Sequence, residues 1–348
     1  MDFSSDNSWS ASPEILAAMA EANAASAPSY GGDEWTKRLI ARMSDIFERE
    51  VAVFPVATGT AANALSIATL CPSHGAVFCY ENSHIAYDEC GAPEFYSGGA
   101  KLIGLGSDDG KITPAKIEEG LSWFRAGDVH QAKPSLVSIT EATELGTVYT
   151  PGEIAAIAAC ARPHGMKLHM DGARFANALA RLGCAPAEMT WKAGVDALSF
   201  GATKNGGLNA DAVVLFDAAA AQDFAFRRMK GGHLMSKMRF AAAQLLAYLE
   251  NDLWLRNARR ANRLAARMAD SLSRIPGIAI GPPAEANAVF AYFPDALIKR
   301  LRDAGARFHP WEPGKDGRTL MRLVLSPATP EEDVERFLEA AAKSVRPA

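Results

Sequence analysis

Lys167-Leu168-His169-Met170-Asp171-Gly172-Ala173-Arg174 and Ala197-Leu198-Ser199-Phe200-Gly201-Ala202-Thr203-Lys204-Asn205-Gly206-Gly207 each run from a short apolar strand into a charged residue. Lys204 stands 33 residues after Asp171, the right length for one intervening helix and strand. Parallel strands need such a crossover. Ligands of open α/β sheets bind outside the carboxyl ends of the strands. A carboxylate and a lysine on two successive strand ends therefore face one crevice.

Outward from this pair the same alternation continues. Short β-branched runs predict strands at 51–56, 76–80, 101–105, 136–140, 167–170, 197–200 and 212–216. Ala-rich stretches of helical periodicity predict helices at 13–25, 36–47, 60–70, 114–126, 151–164 and 171–182. The fold class is α/β, a mostly parallel sheet between helices. Thr113-Pro114 and Thr150-Pro151 each put a cap residue before a proline at the first helical position, with Glu153 in the first turn of the second. After Phe216 the alternation stops, and 238–275 reads as one long helix bent near Asp252-Leu253-Trp254. Its arginines 256, 259, 260, 263 and 267 read as a solvated face, because Asp252 and Asp270 bracket them and the apolar positions keep a helical stripe. Beyond Pro276-Gly277, strands at 278–280, 288–292 and 320–325 and helices at 295–304 and 330–344 suggest a small α+β domain. The expected division is a large domain over 1–245 and a small C-terminal domain over 246–348 that includes the connecting helix.

Composition removes several classes. The chain has 348 residues, 36 Lys+Arg against 40 Asp+Glu and a net charge of −4, too even a balance for the basic field that nucleic-acid binding needs. No apolar run approaches the ~20 residues of a membrane helix, and Met1-Asp2-Phe3-Ser4-Ser5-Asp6 is acidic where a secretory signal is basic, then apolar. The five cysteines are dispersed without a C-x-x-C pair, and the seven histidines form no H-E-x-x-H. That pattern suits buried thiols in a reducing compartment and argues against a dedicated metal site. The expectation is a cytoplasmic protein without a membrane or nucleic-acid partner.

An aspartate and a lysine at one crevice suit pyridoxal 5'-phosphate. The lysine condenses with its aldehyde, and an anion beside the pyridine nitrogen keeps the ring an electron sink. Its phosphate has a candidate cradle in Val56-Ala57-Thr58-Gly59-Thr60-Ala61-Ala62-Asn63, where a strand ends, a turn follows and a helix begins. Free N–H groups and the helix dipole bind phosphate there, and Gly59 allows close approach. No G-x-G-x-x-G or G-x-x-x-x-G-K-[ST] occurs, which removes the Rossmann and P-loop readings.

Ser5-Asp6, Tyr30-Gly31-Gly32-Asp33, Thr58 to Asn63, His84, His130, His169 to Arg174 and Lys204 stand in an order that resembles the low-specificity L-threonine aldolases. These are fold type I pyridoxal-phosphate enzymes related to the β-eliminating lyases, and the resemblance spans nearly the whole chain. It implies that Lys204 bonds the cofactor, Asp171 meets the pyridine nitrogen, His84 stacks on the ring, and Thr58, Gly59 and Thr60 hold the phosphate. Ser5, Arg174 and Arg322 would grip the amino-acid carboxylate, which suits a guanidinium fork, with Tyr30 also at the substrate. His130, aligned by its place before a strand, would lie near the β-hydroxyl. In Gly231-Gly232-His233-Leu234-Met235-Ser236-Lys237 the basic residue reaching a neighbouring subunit's phosphate would be Lys237. The family's usual form is a homotetramer with sites at subunit interfaces.

The implied reaction is retro-aldol cleavage of L-threonine or L-allo-threonine, and of phenylserine-type β-hydroxy amino acids, to glycine and an aldehyde, with His84 or His130 as the base. The alternatives are β-elimination or transamination, and a catalytically silent binding protein. Two departures bear on substrate range. Glu141-Ala142-Thr143-Glu144 stands where many members have Asn-Thr-His after the glutamate, and Met321-Arg322-Leu323-Val324-Leu325-Ser326 lacks the family's usual histidine.

Overall fold

The computed structural model describes residues 1–313 and 317–343. Seven strands, β1 (Ala52–Val56), β2 (Gly75–Tyr80), β3 (Lys101–Leu105), β4 (Lys133–Thr140), β5 (Lys167–Gly172), β6 (Ala197–Phe200) and β7 (Asp211–Leu215), form one sheet. Their order is β1-β7-β6-β5-β4-β2-β3. From β3 to β6 the pairs are parallel, whereas β7 runs antiparallel to both β6 and β1.

The sheet is covered on both faces, as a parallel sheet requires. Strand β2 shows how one sequence serves two layers. Successive side chains of a strand point to opposite faces, so Ala76, Phe78 and Tyr80 enter the larger core while Val77 and Cys79 pack with Ile67 and Cys71 on the other side. Residues 75–80 are accordingly all buried. The helix Gly59–Leu70, eight of whose twelve residues are buried, covers that second face. Thr150 and Glu153 form a complete capping box at the helix Pro151–Ala161, and Thr113 caps the helix Pro114–Ser122, each contributing ~1 kcal/mol.

A second, antiparallel sheet joins β8 (Ala279–Ile280), β9 (Ala288–Pro294), β10 (His309–Pro313) and β11 (Arg318–Val324) in the order β10-β11-β9-β8. The expected single bent helix is two helices, Arg239–Leu249 and Leu253–Ser273, interrupted where Asn251 and Asp252 adopt positive φ. The second helix spans both cores, with Leu253, Trp254 and Ala258 in the large one and Leu264, Ala265, Met268 and Leu272 in the small one. The chain start also joins the small sheet. Phe3 N donates to Arg307 O, Val324 N donates to Phe3 O, and the Phe3 ring packs edge-on to Phe337 at 5.2 Å.

Several elements depart from the sequence reading, the short helices His84–Tyr87 and Ala92–Ser97 among them. A helix at Ala218–Lys230 follows β7, capped by Asp217, where no element was expected. β10 also lacked a sequence prediction. The last helix runs Glu331–Lys343, and the predicted end at Ser344, with the rest of 344–348, lies outside the described residues.

Candidate active site

Strand directions gather the site. Thr140 pairs with Asp171, and Asp171 with Ser199, so the carboxyl ends of β4, β5 and β6 lie side by side. Two antiparallel steps through β7 restore the direction of β1, which brings Val56 and the turn after it to the same edge. Lys204 sits in a single 3-10 turn, Thr203–Asn205, just beyond β6. The turns that follow Asp171 and precede Lys204 approach closely because residue 201 has no side chain. A Cβ on Gly201 would lie 2.7 Å from Ala173 Cα.

Asp171 is buried and doubly held. Its Oδ1 accepts from Ala173 N at 3.0 Å and its Oδ2 from Asn63 Nδ2 at 2.7 Å. The charges of Arg174, Asp6, Asp171 and Asp211 all act on Lys204. Burial, then the Arg174 charge, lowers its amine below the ordinary lysine value, with the three carboxylates opposing. Asp211 also fixes the lysine turn, because its Oδ1 accepts from Ala202 N, Thr203 N and Thr203 Oγ1. Thr58 caps the helix Gly59–Leu70 by accepting from Ala61 N at 3.1 Å. A Cβ on Gly59 would meet nothing nearer than Asp211 Oδ2, 4.0 Å away. That opening lets an anion reach the first N–H groups of the helix.

His84 opens a short helix, His84–Tyr87, after β2. Its backbone N donates to Glu144 Oε1 at 3.0 Å, and its Nδ1 lies 2.8 Å from Glu89 Oε1. Arg322, on β11, holds its guanidinium over Trp311 at 5.0 Å. Burial and the neighbouring Arg174 lower its pKa, and its Nε is buried without a partner.

Some expected residues take other places. The fork of Arg174 is engaged by Asp6, with Nε to Oδ2 at 2.8 Å and Nη2 to Oδ1 at 3.0 Å, so Asp6 already occupies the carboxylate-binding edge assigned to substrate. Ser5 Oγ accepts from Asn7 N as the cap of the turn Asp6–Ser8. Tyr30 and Lys237 lie in adjoining exposed loops, where Tyr30 N donates to Ser236 O. In the same chain it is His233 of that loop that reaches the cradle, accepting from Ala57 N at 3.3 Å. His130 requires a correction. It stands in the exposed turn before β4, at the amino end of a strand whose carboxyl end meets Asp171. The eight residues of β4, at ~3.3 Å each, separate it from its own chain's site.

Asn63, Glu89, Asp211 and Asp6 were not given roles from sequence. Asn63 had a usable signal, as the one amide side chain in an Ala-rich stretch. Glu89 and Asp211 had none.

The beta-eliminating lyase family model matches residues 2–296. A low-specificity L-threonine aldolase from Pseudomonas aeruginosa is 45% identical over 97% of this chain and 95% of its own. The chain belongs to the low-specificity L-threonine aldolases. A second member, from a Pseudomonas species, is 46% identical over 88% of each chain. The threonine aldolase of Leishmania major superposes with a TM-score of 0.93 at 30% identity, covering 99% of both chains. Membership carries the fold with it, fold type I.

Proposed function

We propose that this chain binds pyridoxal 5'-phosphate and cleaves L-threonine or L-allo-threonine, and phenylserine-type substrates, to glycine and an aldehyde. The observation that carries the reading is the buried Asp171 and the half-buried Lys204 on adjoining strand ends, in a chain 45% identical to an aldolase of that name. The residues fit the cofactor. The open helix start at Thr58, Gly59 and Thr60 suits a phosphate, Asp171 a pyridine nitrogen and Lys204 an aldehyde carbon. When bound, the cofactor takes up the electron pair released at Cα.

The chain's own groups do the rest. A lysine amine depressed by burial and by Arg174 spends more of its time neutral and nucleophilic. Arg322, with an unpaired edge, grips the substrate carboxylate, and the grip decides which bond at Cα stands perpendicular to the ring. His84 takes the proton of the β-hydroxyl. The Cα–Cβ bond then breaks, and the former hydroxyl oxygen becomes the aldehyde carbonyl.

We further take the protein to be a homo-oligomer, a tetramer as the resemblance implies, with Tyr30 and Lys237 near a neighbouring subunit. The exposed Phe95 and Phe226, on helices Ala92–Ser97 and Ala218–Lys230 that both pack against Gly59–Leu70, support an interface. Cytoplasmic placement is supported by five free cysteines; no described helix is long and apolar enough to cross a membrane. Residues 1–245 and 246–348 are proposed as the two domains.

The test is incubation of the cofactor-loaded protein with L-threonine and L-allo-threonine. Glycine and acetaldehyde are expected. Keto acid and ammonia would instead show β-elimination or transamination, and no product despite bound cofactor would defeat the reading. Lys204→Ala should abolish the cofactor's visible absorbance band together with activity.

A further inference from the structure

A line of short hydrogen bonds crosses the site beneath the residues that meet ligand. Asn63 Nδ2 donates to Asp171 Oδ2 at 2.7 Å and to Glu89 Oε1 at 2.8 Å. Glu89 Oε1 lies 2.8 Å from His84 Nδ1. The Glu89 side chain is wholly buried, and its Oε2, like Asn63 Oδ1, has no partner. Burying a carboxylate costs several kcal/mol unless it is paired, so packing alone gives no reason for an acid here.

One carboxylate oxygen that accepts from Asn63 also needs a proton on His84 Nδ1. The neutral imidazole then carries its lone pair on Nε2, and the ring is 37% exposed while Glu89 is covered. A buried carboxylate that holds one imidazole nitrogen fixes the tautomer and steadies the imidazolium formed when the other nitrogen takes a proton.

We propose that Glu89 is a positioning residue that holds His84 as the Nδ1–H tautomer, makes Nε2 the acceptor of the substrate's β-hydroxyl proton, and ties that imidazole through Asn63 to Asp171. The role given to Nε2 rests on the aldolase reading, whereas the tautomer does not. Every charged group facing His84 bears on it. Glu89 follows its own short helix, Glu144 reaches its backbone from the loop after β4, Asp171 comes from β5, and Lys204 from the turn after β6. The hydrogen bond to Glu89 raises the imidazole against the opposing effect of burial, and Asp171 adds to the rise while Lys204 opposes it. Glu89 is itself pushed up by burial, against the hydrogen bonds from His84 and Asn63 that lower it.

The experiment labels histidine with 15N in the full-length protein, with and without cofactor, and assigns His84 by its loss in His84→Gln. Wild type should show a protonated Nδ1, a bare Nε2 and a raised imidazole pKa. Glu89→Gln keeps the shape and removes the charge, so that pKa should fall in the cofactor-free protein. In the loaded enzyme kcat should drop about 100-fold with KM changed less than about threefold. An unmoved imidazole pKa, or kcat within about threefold of wild type, overturns the proposal. If Glu89→Gln does not fold, Glu89→Asp decides, because withdrawing the carboxylate by one methylene should lower both quantities partway and no change in either overturns it. A wild-type enzyme that releases no aldehyde yet shows this tautomer and this response defeats the aldolase reading and leaves the positioning of His84 standing.

Discussion

Asp6→Asn removes one charge from the pair with Arg174, and its cost follows from the geometry. The Asp6 side chain is fully buried and Arg174 only 20% exposed. Two hydrogen bonds join them, and a third reaches Asp6 Oδ2 from Asn287 Nδ2 at 3.0 Å. One carboxylate thus links the chain start to the turn after β5 and to the small sheet. Removing one member of a buried pair costs ~3–5 kcal/mol, and because asparagine keeps one acceptor the lower end applies. A chain of 348 residues gains roughly 0.7 kcal/mol/K of unfolding entropy, so the midpoint should fall by about 4 °C in calorimetry at pH 7. The decisive form is a double-mutant cycle with Arg174→Gln. The double variant should lose ~2–3 kcal/mol less than the sum of the singles. Additive losses, or a shift under about 1 °C, would refute the pairing as a source of stability. Burial alone would raise the Asp6 carboxyl, but the Arg174 and Lys204 charges and the hydrogen bonds outweigh it and hold it below its ordinary 3.8. The coupling should therefore be complete above that pH and disappear only as pH falls through the lowered value.

Three further outcomes are expected. His169, between Ser138 Oγ and Ser199 Oγ at 2.9 Å each, is lowered by burial from 6.5 to about 4; the unfolded chain takes its proton first, so stability should fall by ~1.4 kcal/mol per unit as pH drops from 6.5 toward 4. Denaturant titrations should show that slope reduced by about one proton in His169→Gln, and equal slopes would reject it. Gly201→Ala places a Cβ 2.7 Å from Ala173 Cα, and the overpacking should cost ~1–3 kcal/mol and weaken cofactor retention on gel filtration; unaltered stability and retention would contradict the close approach. Arg322→Lys keeps the charge and loses the fork, so KM for threonine should rise roughly 10- to 100-fold, as expected for a charged hydrogen bond of ~1.5–3 kcal/mol, with kcat changed much less. A kcat effect alone would move Arg322 out of the carboxylate grip.

What could be read in advance follows how far apart the interacting residues lie. Asp171 and Lys204 were legible because apolar runs mark their strands and the rule for strand ends does the rest. The same rule speaks against His130, since a residue placed before a strand lies at the amino end. The direction of β7 was not legible, because the loop from Phe200 to Asp211 permits either sense. β10 escaped because His309-Pro310-Trp311-Glu312-Pro313 carries two prolines, which only an edge strand tolerates, and it is an edge with a register shift between Pro310 and Glu312. Asn251 and Asp252 leave polar residues where the helix breaks, which reads as a bend until their positive φ is seen. Asp6 meets Arg174 across 168 positions, and Glu89 meets Asn63 across 26. Nothing local announces either pairing.

The charge around the crevice raises a difficulty that the burial pattern resolves. Asp6, Asp171, Asp211, Glu89 and Glu144 crowd the place proposed for a phosphate and a carboxylate, against Arg174, Lys204 and Arg322. Fully ionised, they would repel both anions. Burial does not treat them alike. Asp6, gripped by Arg174, is held low, whereas burial pushes Glu89, Glu144 and Asp211 up. A raised carboxyl gives up its proton less readily than a free one, so burial works against the negative field that an incoming anion meets. The same division separates the roles. The lowered acid fastens the chain start and the small sheet to the strand ends, and the raised ones stand beside the cradle, the lysine turn and the imidazole.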